Sequence, residues 1–123
     1  MTSRPVLEPT AEHPITITPT GKRVVVRVNG VVVADTHEAL QLQESTYPAV
    51  QYIPFADVVH DVLTRTNTET YCPFKGDAAY YSVTTDGGTV DDAVWFYEHP
   101  YPAVAEIVDH VAFYPDKADI TVG

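Results

Sequence analysis

Arg23-Val24-Val25-Val26-Arg27-Val28-Asn29-Gly30-Val31-Val32-Val33-Ala34-Asp35-Thr36 decides how this chain is read. Two valine-rich runs flank Asn29-Gly30, a pair in which both residues tolerate positive φ and so close a two-residue hairpin. β-Branched side chains lose rotamer freedom in a helix but pack well on a pleated surface, so both runs are predicted strands. Extended signals continue on either side. Residues 14–18 (Pro-Ile-Thr-Ile-Thr) read as an edge strand, with proline at its start. Residues 39–44 alternate, so Leu40, Leu42 and Glu44 share one face while Gln41 and Gln43 share the other.

Farther on, 49–53 is a short strand ended by Pro54. Residues 78–83 and 93–98 are strands joined through a turn at Asp86-Gly87-Gly88, and 110–114 and 118–122 close the chain. Two helices interrupt this series. Over 55–65, Phe55, Val58, Val59, Val62 and Leu63 form a stripe at helical spacing, and Asp57 and Arg65 suit the helix dipole. A shorter helix begins at Pro102, with Val104, Ile107 and Val108 on one side. The polar stretch 64–69 reads as a connection. Short strands following one another through turns predict a mainly β fold with minor α: a mainly antiparallel sheet, folded over or partly closed, in one domain over 14–123. Residues 1–13, with prolines and no helical period, are expected to form a flexible arm.

Seven basic against seventeen acidic residues give a formal charge of −10. Such a field repels phosphate backbones and anionic lipid, so neither nucleic acid nor a membrane surface is an expected partner. The single cysteine excludes an intrachain disulfide and any zinc site built on several cysteines. The longest apolar runs are too short to span a bilayer, and Met1-Thr2-Ser3-Arg4-Pro5 has no apolar signal region. A cytoplasmic location is the default expectation.

The chemistry concentrates in Tyr71-Cys72-Pro73-Phe74-Lys75-Gly76 and the adjoining residues 77–83. Lys75 is the only lysine or arginine between Arg65 and Lys117, and nine acidic residues lie between 66 and 116. Gly76 lets the backbone turn sharply, which either aims Lys75 inward toward a ligand or leaves it an exposed turn residue. Cys72 is either a nucleophile, given a base or a helix N-terminus to stabilise its thiolate, or a small buried hydrophobe. Trp95 and Tyr97 share one strand face and Val94 and Phe96 the other, while Tyr80 and Tyr81 point oppositely. Such rings fill a core, line a pocket, or do both. Glu44 on an apolar face is either a carboxylate partnered by Lys75 or an arginine, or a solvated group where the strand frays.

His60-Asp61 falls on the polar side of the predicted helix and reads as solvated. The histidines lack the spacing of a metal site, and no nucleotide or hydrolase motif occurs, so no metal and no cofactor is expected.

In order along the chain stand Asn29-Gly30, Ala34-Asp35-Thr36, Leu42-Gln43-Glu44, Gln51-Tyr52-Ile53-Pro54, Asp57-Val58, Cys72-Pro73-Phe74-Lys75-Gly76, Ala79-Tyr80-Tyr81, Trp95-Phe96-Tyr97-Glu98-His99-Pro100 and Val111-Ala112-Phe113-Tyr114. Together they resemble the bacterial and fungal domain-of-unknown-function family 427, over about residues 14–120. The resemblance implies a β-tent, with antiparallel sheets meeting at an angle over a cleft. Related β-tents carry zinc on two cysteine pairs, which this chain lacks, or hold a ring-shaped ligand in an aromatic cage. Family members usually carry serine where Thr36 stands and arginine where Phe55 stands. No established activity comes with the family name.

The function expected from these residues is binding of a small molecule in a cleft lined by Tyr52, Tyr80, Trp95 and Tyr97. Lys75, beside Gly76, would face an anionic or carbonyl group and be balanced by Glu44. The alternative is an enzyme on the same cleft, with Lys75 or Cys72 reactive and Glu44 or Asp57 as acid or base. A protein-interaction module is the third reading.

Overall fold

A computed structural model describes residues 4–123. Among the described residues there are ten strands: β1 (Ile15–Pro19), β2 (Val24–Val28), β3 (Val31–Thr36), β4 (Leu40–Glu44), β5 (Val50–Pro54), β6 (Leu63–Cys72), β7 (Gly76–Thr85), β8 (Gly88–Tyr97), β9 (His110–Phe113) and β10 (Asp119–Val122). They form a seven-stranded sheet in the order β1-β4-β5-β9-β8-β7-β6 and a three-stranded sheet in the order β10-β2-β3. Every pairing is antiparallel. The expected mainly β, antiparallel, two-sheet class is therefore what the chain adopts.

The valine hairpin forms as the sequence dictates. Asn29 and Gly30 have φ of 51° and 78°, and Val28 faces Val31 across the turn. Alternation along β2 buries Val24, Val26 and Val28 completely against the large sheet. The large sheet answers with Ile53, Val83, Val94, Phe96, Val111 and Phe113. Burial of such apolar area, at roughly 25 cal/mol per Å², is the main source of cohesion between the layers. The opposite face of the large sheet carries Leu42, Tyr52, Tyr80, Tyr97 and Ala112, covered partly by Val104 and Ile107.

The expected helix over 55–65 does not form. Two short 3-10 turns, Phe55–Asp57 and His60–Val62, are separated by extended backbone at Val58 and Val59. Val58 bridges to Ala34 and the Val59 N–H donates to the Val33 carbonyl at 2.8 Å. Pairing with β3 satisfies these backbone groups, and paired β-branched residues favour it over a helix that tertiary contacts do not require. Val59, placed on the apolar stripe by the helical reading, is 45% exposed. The expected connection over 64–69 is instead part of β6, irregular between Arg65 and Glu69. Thr66 and Thr68 both donate to the Asp92 carboxylate at 2.7 Å, so the polar residues face a partner across the strands. The second expected helix is a kinked 3-10 segment, Pro102–Ile107, with non-helical φ and ψ at Val104.

The first three residues of the expected arm lie outside the described residues. The rest of it lies along the large sheet. The Leu7 N–H donates to the Pro73 carbonyl at 2.9 Å, Tyr71 Oη donates to the Pro5 carbonyl at 2.7 Å, and Arg4 pairs with Asp77. Among the described residues no helix is long and apolar enough to cross a membrane.

Candidate functional site

Strand alternation builds a cleft on the face of the large sheet turned away from the small one. β4 supplies Leu42 and Glu44, β5 supplies Tyr52, β7 supplies Tyr80, and β8 supplies Trp95 and Tyr97. The space they enclose with Lys75 is about 270 Å³.

Lys75 enters this space because of its turn. The Lys75 N–H donates to the Cys72 carbonyl at 3.1 Å, and Gly76 follows at φ +109°, a region L side chains rarely adopt. A Cβ at Gly76 would lie 3.3 Å from the His99 carbonyl oxygen. The Tyr101 N–H holds the same turn through the Lys75 carbonyl at 3.0 Å. The lysine is thereby turned inward and only 7% exposed.

Its Nζ donates to Glu44 Oε1 at 2.5 Å and lies 3.8 Å from Cys72 Sγ. The other carboxylate oxygen of Glu44 is 2.8 Å from His13 Nε2. His13 in turn stacks on Phe74 at 4.5 Å between centroids and meets the edge of Tyr47. Burial pushes the Glu44 carboxyl up, but the hydrogen bonds from Lys75 and His13 outweigh it and hold the group below its ordinary value. Glu44 is thus a carboxylate with both oxygens engaged.

The rings are held polar end to polar end. Trp95 Nε1 donates to Tyr52 Oη at 3.2 Å, and Tyr114 packs on Trp95 with centroids 4.5 Å apart. Tyr80 Oη shares hydrogen bonds with Thr70 Oγ1 at 2.8 Å and Tyr114 Oη at 3.3 Å. Burial raises the Tyr52 and Tyr97 phenols well above their ordinary value, and burial with the Tyr80 hydrogen bond does the same for Tyr114. The cleft therefore presents neutral phenols, able to donate or accept, around one ion pair.

The structure brings together Lys75, Glu44, Tyr52, Tyr80, Trp95 and Tyr97, six residues singled out in the sequence. Gly76 supports them from the turn. Cys72 is half-buried beside Lys75 and does not line the cleft. Asp57 stands elsewhere: its carboxylate accepts from the buried Thr36 hydroxyl at 2.6 Å, in the region where the small sheet meets the Phe55–Asp57 turn. His13, Tyr47 and Tyr114 also reach the site, although the sequence does not single them out. The signal for His13 is the pairing of β1 with β4, in which Ile15 stands opposite Glu44 and places the preceding residues beside it. Among the described residues, no group of three or more histidine, cysteine or acidic side chains is arranged to hold a metal ion.

Fold and cleft define a small antiparallel β domain of two sheets, with an ion pair and aromatic rings facing one concavity. The chain belongs to the family described as domain of unknown function (DUF427), whose model matches residues 16–123. No curated protein matches the chain.

Proposed function

We propose that this cleft binds a small, ring-bearing molecule whose carbonyl or anionic group meets Lys75. One observation carries the reading: a lysine removed from bulk water and the chain's only tryptophan line the same hollow. Glu44 takes one of the three ammonium donors and the Cys72 sulfur, at 3.8 Å, a weak second, which leaves one for a guest. The pairing also keeps the cation inward without a ligand, which lowers the cost of organising the site. A space of about 270 Å³ sits just below the usual range for drug-sized ligands, favouring a guest of a single ring. Trp95, Tyr80 and Tyr97 offer such a ring apolar contact and hydrogen bonds at its rim. The motif segments of the family resemblance supply all six of the residues gathered here. Catalysis has less support, because Cys72 does not line the hollow and Asp57 lies outside it.

Trp95 emission supplies the test. Titration with benzoate, nicotinate and uracil is expected to give a saturable change with at least one of the three, weakened about tenfold or more by Lys75→Met. No change with any probe, or a change indifferent to Lys75→Met, would sink the reading.

A further inference from the structure

A larger hollow, about 650 Å³, opens on the other face of the same sheet. Its wall is a stack of rings. Phe55 lies on His60 at 4.1 Å and 17°, Phe55 and Tyr81 are 5.9 Å apart at 21°, and Tyr81 lies on Phe96 at 4.6 Å and 16°. A flat guest extends such a stack without distorting it, and the volume falls within the range of ordinary ligand sites.

Apart from the Tyr81 and Tyr97 phenols and the Arg65 guanidinium, 5.5 Å from the Phe96 ring centroid, the polar side chains around the stack are imidazoles and carboxylates. His60 Nε2 is 2.7 Å from the Phe55 carbonyl, and His110 Nδ1 is 2.7 Å from the Val108 carbonyl. A carbonyl only accepts, so these two nitrogens carry protons, and the remaining nitrogen of each neutral ring is an acceptor. Asp109 lines the same hollow, and Glu98 is already held by Arg65 at 2.6 Å. No lysine or arginine is among the described residues lining this hollow. The first cleft offers an ammonium; this one offers acceptors and negative charge.

We propose that the hollow is a second ligand site, for a planar heteroaromatic molecule that carries N–H donors and no negative charge. The rings take its face, His60 and His110 accept from its edge, and Asp109 disfavours an anion. Tyr97 alone is common to the lining of this hollow and of the Lys75 cleft, and the proposal does not rest on the function proposed for that cleft.

The probes are 2-aminobenzimidazole and, as the anionic counterpart, 2-naphthoate. Binding is followed by backbone amide shifts of the full chain at about pH 8. Saturable shifts are expected at Phe55, Tyr81 and His110 while the Trp95 indole signal stays fixed. 2-Naphthoate is expected to bind about tenfold more weakly or worse. His110→Phe and His60→Phe keep a ring but remove an acceptor, and each should weaken 2-aminobenzimidazole by about tenfold. The proposal fails if those amides do not respond, if the response centres on Trp95, if 2-naphthoate binds as tightly, or if both variants bind like the parent.

Discussion

Glu44 and Lys75 meet at 2.5 Å although four strand-to-strand steps separate β4 from β7 in the sheet order. In a flat sheet those steps amount to roughly 19 Å, farther than the two side chains reach together. The sheet must therefore curl, and the ion pair joins its two flanks across the concavity. β5 is where the partner changes: Tyr52 is opposite Leu40 on β4, while Ile53 is opposite Val111 on β9. The cleft is the inside of that curl.

Removing one end of this pair leaves the other buried without its partner. Glu44→Gln is expected to lower stability by about 3 kcal/mol, the low end for a broken buried pair, because 16% of the Glu44 side chain remains exposed. Glu44→Leu combined with Lys75→Met should recover most of that loss, since neither charge is then stranded. Urea unfolding of both variants checks this. Equal losses in the single and double variants would show that the pair is not what holds the flanks together.

Acid acts on the same carboxylate. The folded Glu44 value is depressed, so its contribution is complete above the unfolded value, about 4.3, and is lost as pH falls through the lower folded value. Asp35, Asp77, Asp92 and Glu98 are lowered as well, each chiefly by a side-chain hydrogen bond, and their contributions fade over the same acid range. Unfolding free energy measured from pH 6 downward (about two units either side of 4 suffices) should fall more shallowly for Glu44→Gln than for the parent.

Alkali acts on the phenols. Burial raises the folded values of Tyr52 and Tyr97, so the stability tied to their neutral forms is complete below the unfolded value, about 10, and is lost as pH rises beyond it. Absorbance of tyrosinate should show these two rings ionising only as the chain unfolds. Tyr52→Phe should also cost about 1 kcal/mol, since it leaves the Trp95 N–H without its acceptor. A smooth titration of all eight tyrosines in the folded state would contradict the buried placement.

Much of this was legible in the chain because strands report their faces two residues at a time. Leu40, Leu42 and Glu44, then Trp95 and Tyr97, then Tyr80, lie on the faces that alternation assigned. The hairpin at Asn29-Gly30 was equally plain. Residues 55–65 misled because a stripe at helical spacing also fits two tight turns around an extended pair. What distinguishes them is the bond from Val59 to Val33, contributed by a strand over twenty residues earlier and absent from any local pattern. His13 is hidden in the sequence for the same reason. Its bond to Glu44 depends on β1 pairing with β4, while locally it sits among prolines and polar residues. The curl of the sheet, which brings Lys75 to Glu44, is likewise a property of strand order and not of any one segment.

Gly76 offers the sharpest way to move the lysine without touching its charge. At φ +109° an alanine is strained, and its Cβ would press on the His99 carbonyl oxygen at 3.3 Å. Gly30, at φ +78° with no atom within 4 Å of where an added methyl would sit, carries the conformational cost alone. Gly30→Ala is expected to lose about 1 kcal/mol and leave Trp95 emission unchanged. Gly76→Ala should lose more, about 2–3 kcal/mol, because the turn must open to relieve the contact. Opening it withdraws Lys75 from Glu44, so the Trp95 emission should shift as water enters the cleft. If both substitutions cost the same and neither alters Trp95, then the turn at Gly76 does not determine where the ammonium sits, and Lys75 reaches the cleft by the flexibility of its own side chain.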